Sequence, residues 1–205
     1  MTKTIVDLIR HGEPEGGRRY RGYNIDDPLT EKGWSQMWNA VGDFSEWGVI
    51  VTSPLQRCRA FAEALGEKLG IPVVVEDNLK EVGFGSWEGK TPDELKTSNT
   101  EEFDAFYDDP VNNRPEGAES LDEFIRRVVV VYERVVGVYS GKRLLIVAHA
   151  GVIRALIANA IDASPAGMYR IGIGNAGVSR IENSELGGKL VFHNLNCKAD
   201  FSIQS

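Results

Sequence analysis

Short apolar runs and amphipathic stretches alternate along this chain. Residues 4–10 (TIVDLIR), 49–53 (VIVTS), 72–76 (PVVVE) and 143–149 (RLLIVAH) are dominated by Val, Ile and Leu, the pattern of strands buried on both faces. Between them apolar side chains recur at the helical period. A first helix from Thr30 sets Trp34, Met37, Trp38, Val41 and Phe44 on one face, although Gly33 and Gly42 interrupt it. A second places Cys58, Phe61, Ala62, Leu65 and Leu69 together, and Ser53-Pro54-Leu55-Gln56 reads as its start, with Ser53 as N-cap, Pro54 first and Gln56 completing a capping box. Ser120 and Glu123 form another capping box. They open a long helix with Leu121, Phe124, Ile125, Val128, Tyr132 and Val135 on its apolar side. A further helix spans about 151–161, and the part from Met168 to Asn196 reads as strands joined by Gly/Asn turns. Residues 81–117 show no clear period and are expected to form a cap.

Strands that alternate with helices predict an α/β fold with a mostly parallel central sheet and helices on both faces. Ligands of such sheets bind beyond the carboxyl ends of the strands. Arg10 and His11 end the first strand, Ser53 the second, and His149 the run LLIVAH, so parallel strands would bring these residues to one edge. Arg10 and Arg57 are fixed cations able to grip phosphate oxygens in pairs, and Arg57 falls in the first turn of a helix, an end favourable to anions. Gly12 and Gly151, which follow the two histidines, would let a substrate oxygen approach the backbone.

Those residue types point to phosphoryl transfer. A histidine flanked by arginines resists protonation and can attack phosphorus, while the guanidinium groups stabilise the equatorial oxygens. Glu81, at the entry to the expected cap, is the candidate proton donor for the leaving oxygen, with Glu13 and Glu88 as competitors. His193 reads as structural.

Charge sharpens the picture. The 205-residue chain carries a net charge of -7, so nucleic acid and anionic membrane are not expected partners, and a basic cluster at Arg18, Arg19 and Arg21 stands out. The cluster reads either as a solvated turn or as a device that draws anions in. The two cysteines, Cys58 and Cys197, give no disulfide framework, no segment has the length of a membrane helix, and no secretory leader is apparent; the expected compartment is the cytoplasm. No Walker or dinucleotide-binding loop follows a strand.

The chain resembles the histidine phosphatase (phosphoglycerate-mutase-like) superfamily over nearly its whole length. LIRHGE, DDPLTEKGWSQM, SPLQRCRAFAEAL, LKEVGFGSWEG, RPEGAES and IVAHAGVIRALI carry the resemblance. It implies a three-layer α/β/α sandwich, one domain over 1–205 with a cap or insertion at about 84–117, His11 as nucleophile, Glu81 as proton donor, His149 as catalytic and phosphate-pocket histidine, and Arg10 and Arg57 as phosphate ligands, with no metal and no cofactor. Arg21 and Gly22 lie where relatives touch substrate. Within the superfamily the chain is most similar to α-ribazole-5'-phosphate phosphatases. Broad-specificity or sugar-phosphate phosphatases, phosphohistidine-protein phosphatases, phosphoglycerate mutases and an inactive phosphate-binding module are the alternatives. Members often carry Asn six residues after the nucleophile; here Gly17 stands there, and Arg21, Tyr23 or Asn24 is expected to supply the contact. The short acidic stretch after Thr91 argues against a mutase and for a phosphate monoester with a neutral or cationic remainder. The expected partner is a small phosphorylated metabolite, and the chain is expected to be a monomer or homodimer.

Overall fold

The computed structural model describes residues 3–196; Cys197 lies outside them. A six-stranded sheet runs through the molecule in the order β3-β2-β4-β1-β5-β6, with β1 at Thr4–Arg10, β2 at Val49–Thr52, β3 at Val73–Val75, β4 at Arg143–Ala148, β5 at Val178–Ser184 and β6 at Gly187–Leu195. The first four are mutually parallel; β5 runs antiparallel to β1 and β6 antiparallel to β5. On one face lie helices α1 (Glu31–Val41) and α2 (Gln56–Leu69), and on the other α5 (Leu121–Val138) and α6 (Ala150–Ala160). The expected α/β/α sandwich is therefore the observed one.

Alternation within each strand divides the core. Val6, Leu8, Leu144, Ile146 and Ala148 pack toward α5 and α6, whereas Ile9, Leu145, Val147 and Val178 pack toward α1 and α2. Asp7 alone puts a carboxylate into the first strand. It accepts from Arg180 Nε at 2.7 Å and from the Trp47 indole N–H at 2.9 Å, all three side chains being buried.

Three details differ from the sequence expectation. Residues 81–117 are more regular than their composition suggests. Helix α3 (Pro92–Ser98) opens on a complete Thr91/Glu94 capping box, and α4 (Thr100–Asp108) on Asn99, whose side chain accepts from Glu102 N–H. Leu95 of α3 and Phe106 of α4 join Trp87, from the preceding turn, in a separate small cluster. The N-cap of α2 is Leu55, not Ser53; its Gln56 N–H is taken by Asp26 Oδ1 at 2.6 Å from a distant loop. Gly42 does not interrupt α1 but ends it, at φ 55°.

Gly33 does lie inside α1, for a tertiary reason. A Cβ there would collide with the backbone of Glu13, and one on Gly12 with the backbone of Gly33. The start of α1 thus presses on the segment that follows the first strand, which is also fastened by Thr30 N–H to Glu13 O (3.0 Å) and Glu13 N–H to Gln36 Oε1 (2.8 Å). Helix propensity alone favours Ala over Gly by about 1 kcal/mol, but the collision reverses the sign. We expect Gly33→Ala to destabilise the fold by about 1–3 kcal/mol in urea unfolding; a stabilised variant would contradict the contact.

Candidate active site

Strand register assembles the site. Arg10 pairs with Ala148, and Thr52 with Val147, so His11, Ser53 and His149 emerge side by side where the parallel strands end. The two imidazoles stand 5.3 Å apart, edge to face. His11 is 5% exposed and Arg57 1%, and both line a cavity of about 150 Å³; His149, 0% exposed, lies behind it against His11.

The hydrogen bonds define the state of His11. Its Nδ1 lies 2.7 Å from Gly12 O, which can only accept, so Nδ1 carries the proton and Nε2 keeps its lone pair. Burial, followed by Arg10 and Arg57, holds the His11 pKa well below the usual imidazole value. Burial and then Arg57 do the same to His149. The Nε2 of His149 shares a hydrogen bond of 2.7 Å with Ser53 Oγ, and Cys58 Sγ donates to Ala148 O at 3.3 Å beneath the ring. The Ser53 hydroxyl, expected to cap a helix, thus meets the second histidine while also accepting Leu55 N–H.

The cations are held by carbonyl oxygens. Arg10 Nη1 donates to Ile173 O at 2.8 Å; Arg57 donates to Ile25 O at 2.9 Å and Gly22 O at 3.0 Å. The Nε of each is buried with no protein partner. Burial lowers the Arg10 pKa to about 10, against the opposing pull of Glu81. Glu81 lies in the same cavity, where its two oxygens accept the N–H groups of Val82 (3.0 Å) and Gly151 (3.2 Å).

The glycines serve protein contacts. A Cβ on Gly12 would meet the backbone of α1 and one on Gly151 the Glu81 carboxylate, and Gly151 also lines the cavity. The competitors of Glu81 are occupied elsewhere. Glu13 pairs with Lys32 at 2.6 Å, and Glu88 accepts Phe84 N–H at 2.9 Å and Asn24 N–H at 3.2 Å, tying the cap segment to the loop after Arg21. His193 bridges Ser179 and Gly172 O, as a structural histidine would.

Arg21 and Gly22 both line the cavity. Arg21 is heavily committed within its own loop: Nε to Asp27 at 2.7 Å, Nη2 to Glu15 O and Gly17 O at 2.6 and 2.7 Å, and Nη1 to Arg19 O at 3.3 Å. Arg19 also binds Asp27, at 2.8 Å. Arg19 and Arg21 are therefore a frame knotted on one carboxylate, while Arg18 is exposed to solvent.

Several wall residues escaped sequence reading. Tyr20, Phe84, Met168 and Tyr169 line the cavity, and Arg154 enters from α6 with its Nε on Ile171 O. Spacing on α6 relative to Gly151 was a usable signal for Arg154. Met168 and Tyr169 sit in a 3-10 turn with no local signature. The acidic residues after Thr91, by contrast, do not line the cavity: Asp93, Glu94, Glu101, Asp104 and Asp108 are exposed. The expectation of a neutral or cationic substrate remainder depends on those charges facing the substrate, so the structure removes its ground.

Linkage gives a stability test. The unfolded chain titrates both histidines near pH 6.5, whereas the folded protein keeps them neutral to lower pH. The unfolded state thus binds more protons below about pH 6.5, and stability that is full above that value falls as pH drops toward the depressed folded pKa values. The slope contributed by the pair reaches at most about 2.7 kcal/mol per pH unit. Urea unfolding compared at about pH 7.5 and about pH 5.5 measures it, and His11→Asn should flatten the profile.

Comparison with known proteins agrees with this geometry. The profile described as "Histidine phosphatase superfamily (branch 1)" matches residues 6–196. A bifunctional protein of Mycobacterium tuberculosis is 36% identical over 186 residues, 88% of this chain but 50% of that protein, so the chain spans about half the length of the first curated relatives it matches. An uncharacterized phosphatase of Bacillus subtilis, PhoE, is 33% identical over 197 residues, covering 94% of this chain and 95% of the relative. The crystal structure of the α-ribazole phosphatase of Shigella flexneri superposes with a TM-score of 0.83 at 25% identity, over 98% of this chain and all of that one. Among the described residues no helix is long and apolar enough to cross a membrane. A matched profile over most of the chain, together with the paired histidines at the strand ends, makes this chain a member of the histidine phosphatase superfamily.

Proposed function

We propose that this chain is a phosphatase that hydrolyses a small phosphate monoester through a phosphohistidine on His11. The observation that carries the reading is the fixed tautomer of His11: its Nδ1 proton is spent on Gly12 O, so the Nε2 lone pair is the ring's reactive atom, in a cavity that also holds Arg10, Arg57 and Glu81. In the first step Nε2 bonds to phosphorus as the ester P–O bond breaks, and Glu81 delivers a proton to the departing oxygen. In the second, water attacks phosphorus, Glu81 takes up its proton, and the N–P bond breaks to release inorganic phosphate. Arg10, Arg57 and His149 stabilise the charge on the equatorial oxygens, which makes a metal ion unnecessary in this scheme. The lowered pKa of His11 keeps it a nucleophile at neutral pH.

The finer reading is α-ribazole-5'-phosphate as substrate, in cobalamin biosynthesis in the cytoplasm; it is supported by the likeness to solved enzymes named for that ester. Other relatives are named for phosphoserine or as probable phosphoglycerate mutases, so sugar phosphates and other small esters stand as alternatives. A mutase must hold a phosphorylated product long enough to return the group, and the cavity beside His11 is small at about 150 Å³.

The test is phosphate release from α-ribazole-5'-phosphate and from p-nitrophenyl phosphate in chelator. We expect turnover of both, with kcat/KM about a hundredfold or more in favour of the ribazole ester, and His11→Ala should lower kcat by about 10⁴-fold or more. Comparable slow turnover of the two would remove the cobalamin assignment alone, while no turnover of either would overturn the reading. For Arg21→Ala we expect KM for the better ester to rise by about tenfold with kcat changed far less; an unchanged KM would exclude Arg21 from substrate binding.

A further inference from the structure

The segment RPEGAES, residues 114–120, has no part in the hydrolytic scheme, yet it bonds to the loop that carries the proton donor. Glu81 stands on irregular backbone. Residues 80–84 lie between two 3-10 turns, Asp77–Leu79 and Gly85–Trp87, and belong to no helix or strand. Their polar backbone groups must be satisfied from elsewhere. Arg127 of α5 does this for the carbonyls: Nη1 donates to Asn78 O at 2.6 Å and Lys80 O at 2.9 Å, and Nη2 to Glu81 O at 3.0 Å. Its other N–H groups go to Glu119, Nε to Oε1 at 2.6 Å and Nη2 to Oε2 at 2.9 Å. Glu119 Oε2 also accepts Gly83 N–H at 3.2 Å, and Glu119 N–H donates back to Gly83 O at 3.2 Å. Every N–H of the guanidinium is therefore spent within the protein, and neither side chain lines the cavity.

The pair reaches the chemistry through one peptide plane. Glu81 O and Val82 N–H belong to the same planar trans unit, so a guanidinium that fixes the oxygen also fixes where the N–H points. That N–H donates to Glu81 Oε1 at 3.0 Å. Glu119 fixes the next unit by its N–H, on Gly83, while Gly151 N–H holds the second carboxylate oxygen. A mostly buried ion pair adds little net stability over two apolar side chains; what the charges add here is direction. We propose that Glu119 and Arg127 are positioning residues for the reaction, which aim the Glu81 carboxyl at the leaving oxygen without touching substrate. The proposal rests on the reading of Glu81 as proton donor.

The experiment separates aim from scaffold by leaving group. A nitrophenolate departs without a proton, whereas the alkoxide of benzyl phosphate requires one. The two esters are compared by kcat/KM, which spans binding through phosphoryl transfer to His11 and leaves out the attack of water. The full-length protein is set beside Glu119→Gln, whose amide nitrogen cannot accept, Arg127→Lys, which keeps the charge but not the fork, and Glu81→Gln as reference. We expect kcat/KM to fall about thirtyfold further on benzyl phosphate than on p-nitrophenyl phosphate in Glu119→Gln, about tenfold further in Arg127→Lys and about a hundredfold further in Glu81→Gln. A purely structural role would lower both esters alike. Equal losses in Glu119→Gln, or in Arg127→Lys if the first variant does not fold, overturn the proposal while the Glu81→Gln difference leaves the donor reading intact. No such difference in Glu81→Gln would overturn the donor reading, and the positioning role with it.

Discussion

Arg10 and Arg57 repel one another and both histidines, and nothing on their own elements offsets that repulsion. What holds them is a ring of backbone carbonyls from distant loops: Ile173 beneath Arg10, and Gly22 and Ile25 around Arg57. Much of the architecture around the strand ends follows from this constraint. The loop between His11 and α1 must turn its carbonyls inward, and Arg21 accomplishes that by gathering Glu15 O, Gly17 O and Arg19 O onto one guanidinium. Asp26 and Asp27 then divide the work of the same loop, one meeting the first N–H of α2 and the other the two arginines. A buried cation with a carbonyl partner remains able to attract an anion, whereas one neutralised by a carboxylate would not. Carbonyls are the hydrogen-bond partners of both, while Asp26 approaches Arg57 only to 4.0 Å and Glu81 shares the cavity with Arg10, so the two guanidinium groups stay available to an anion.

The same field sets the chemistry of the imidazoles. A proton on either ring would add a positive charge to a water-poor site that already contains several. Gly12 O then selects one of the two neutral tautomers of His11. The position of Gly12 is itself imposed from outside, by the closeness of the Gly33 backbone in α1. A helix face, a missing Cβ and a single carbonyl therefore combine to orient one lone pair. Glu81 is oriented in a comparable way, by N–H groups of its own strand exit and of α6.

Much of this was legible in the amino-acid sequence because it resides in local patterns. Apolar runs ending in Arg-His or Ala-His announce strand ends, and parallel strands put such ends on one edge. The relation of Gly33 to Glu13 was not legible, since a glycine inside a helical period looks only like a weakness until the neighbouring segment is in place. Ser53 shows the opposite failure: a convincing local capping pattern lost to a tertiary partner, the ring of His149, while Asp26 took over the helix end from thirty residues away. The cap helices did announce themselves, in Thr91/Glu94 and Asn99/Glu102, but their short apolar stripes gave no period to find. The aromatic wall has no sequence signature because Tyr20 and Tyr169 meet only through the folded cap. The direction of the lid's charges depends on which side of two short helices faces inward, which composition does not encode.

The central position of β1 has a consequence for how the protein comes into being. Its neighbours on either side are β4 and β5, so the residues that bear Arg10 and His11 pair with segments made more than 130 positions later. At about 5–20 residues per second of synthesis, the first strand waits roughly 7–28 s for β4 and roughly 9–35 s for β5. Until residue 148 has appeared the nascent chain therefore carries an apolar strand with two open edges, and until residue 184 with one. Folding and the ability to bind an anion arrive together, late, when two widely separated segments close on the first.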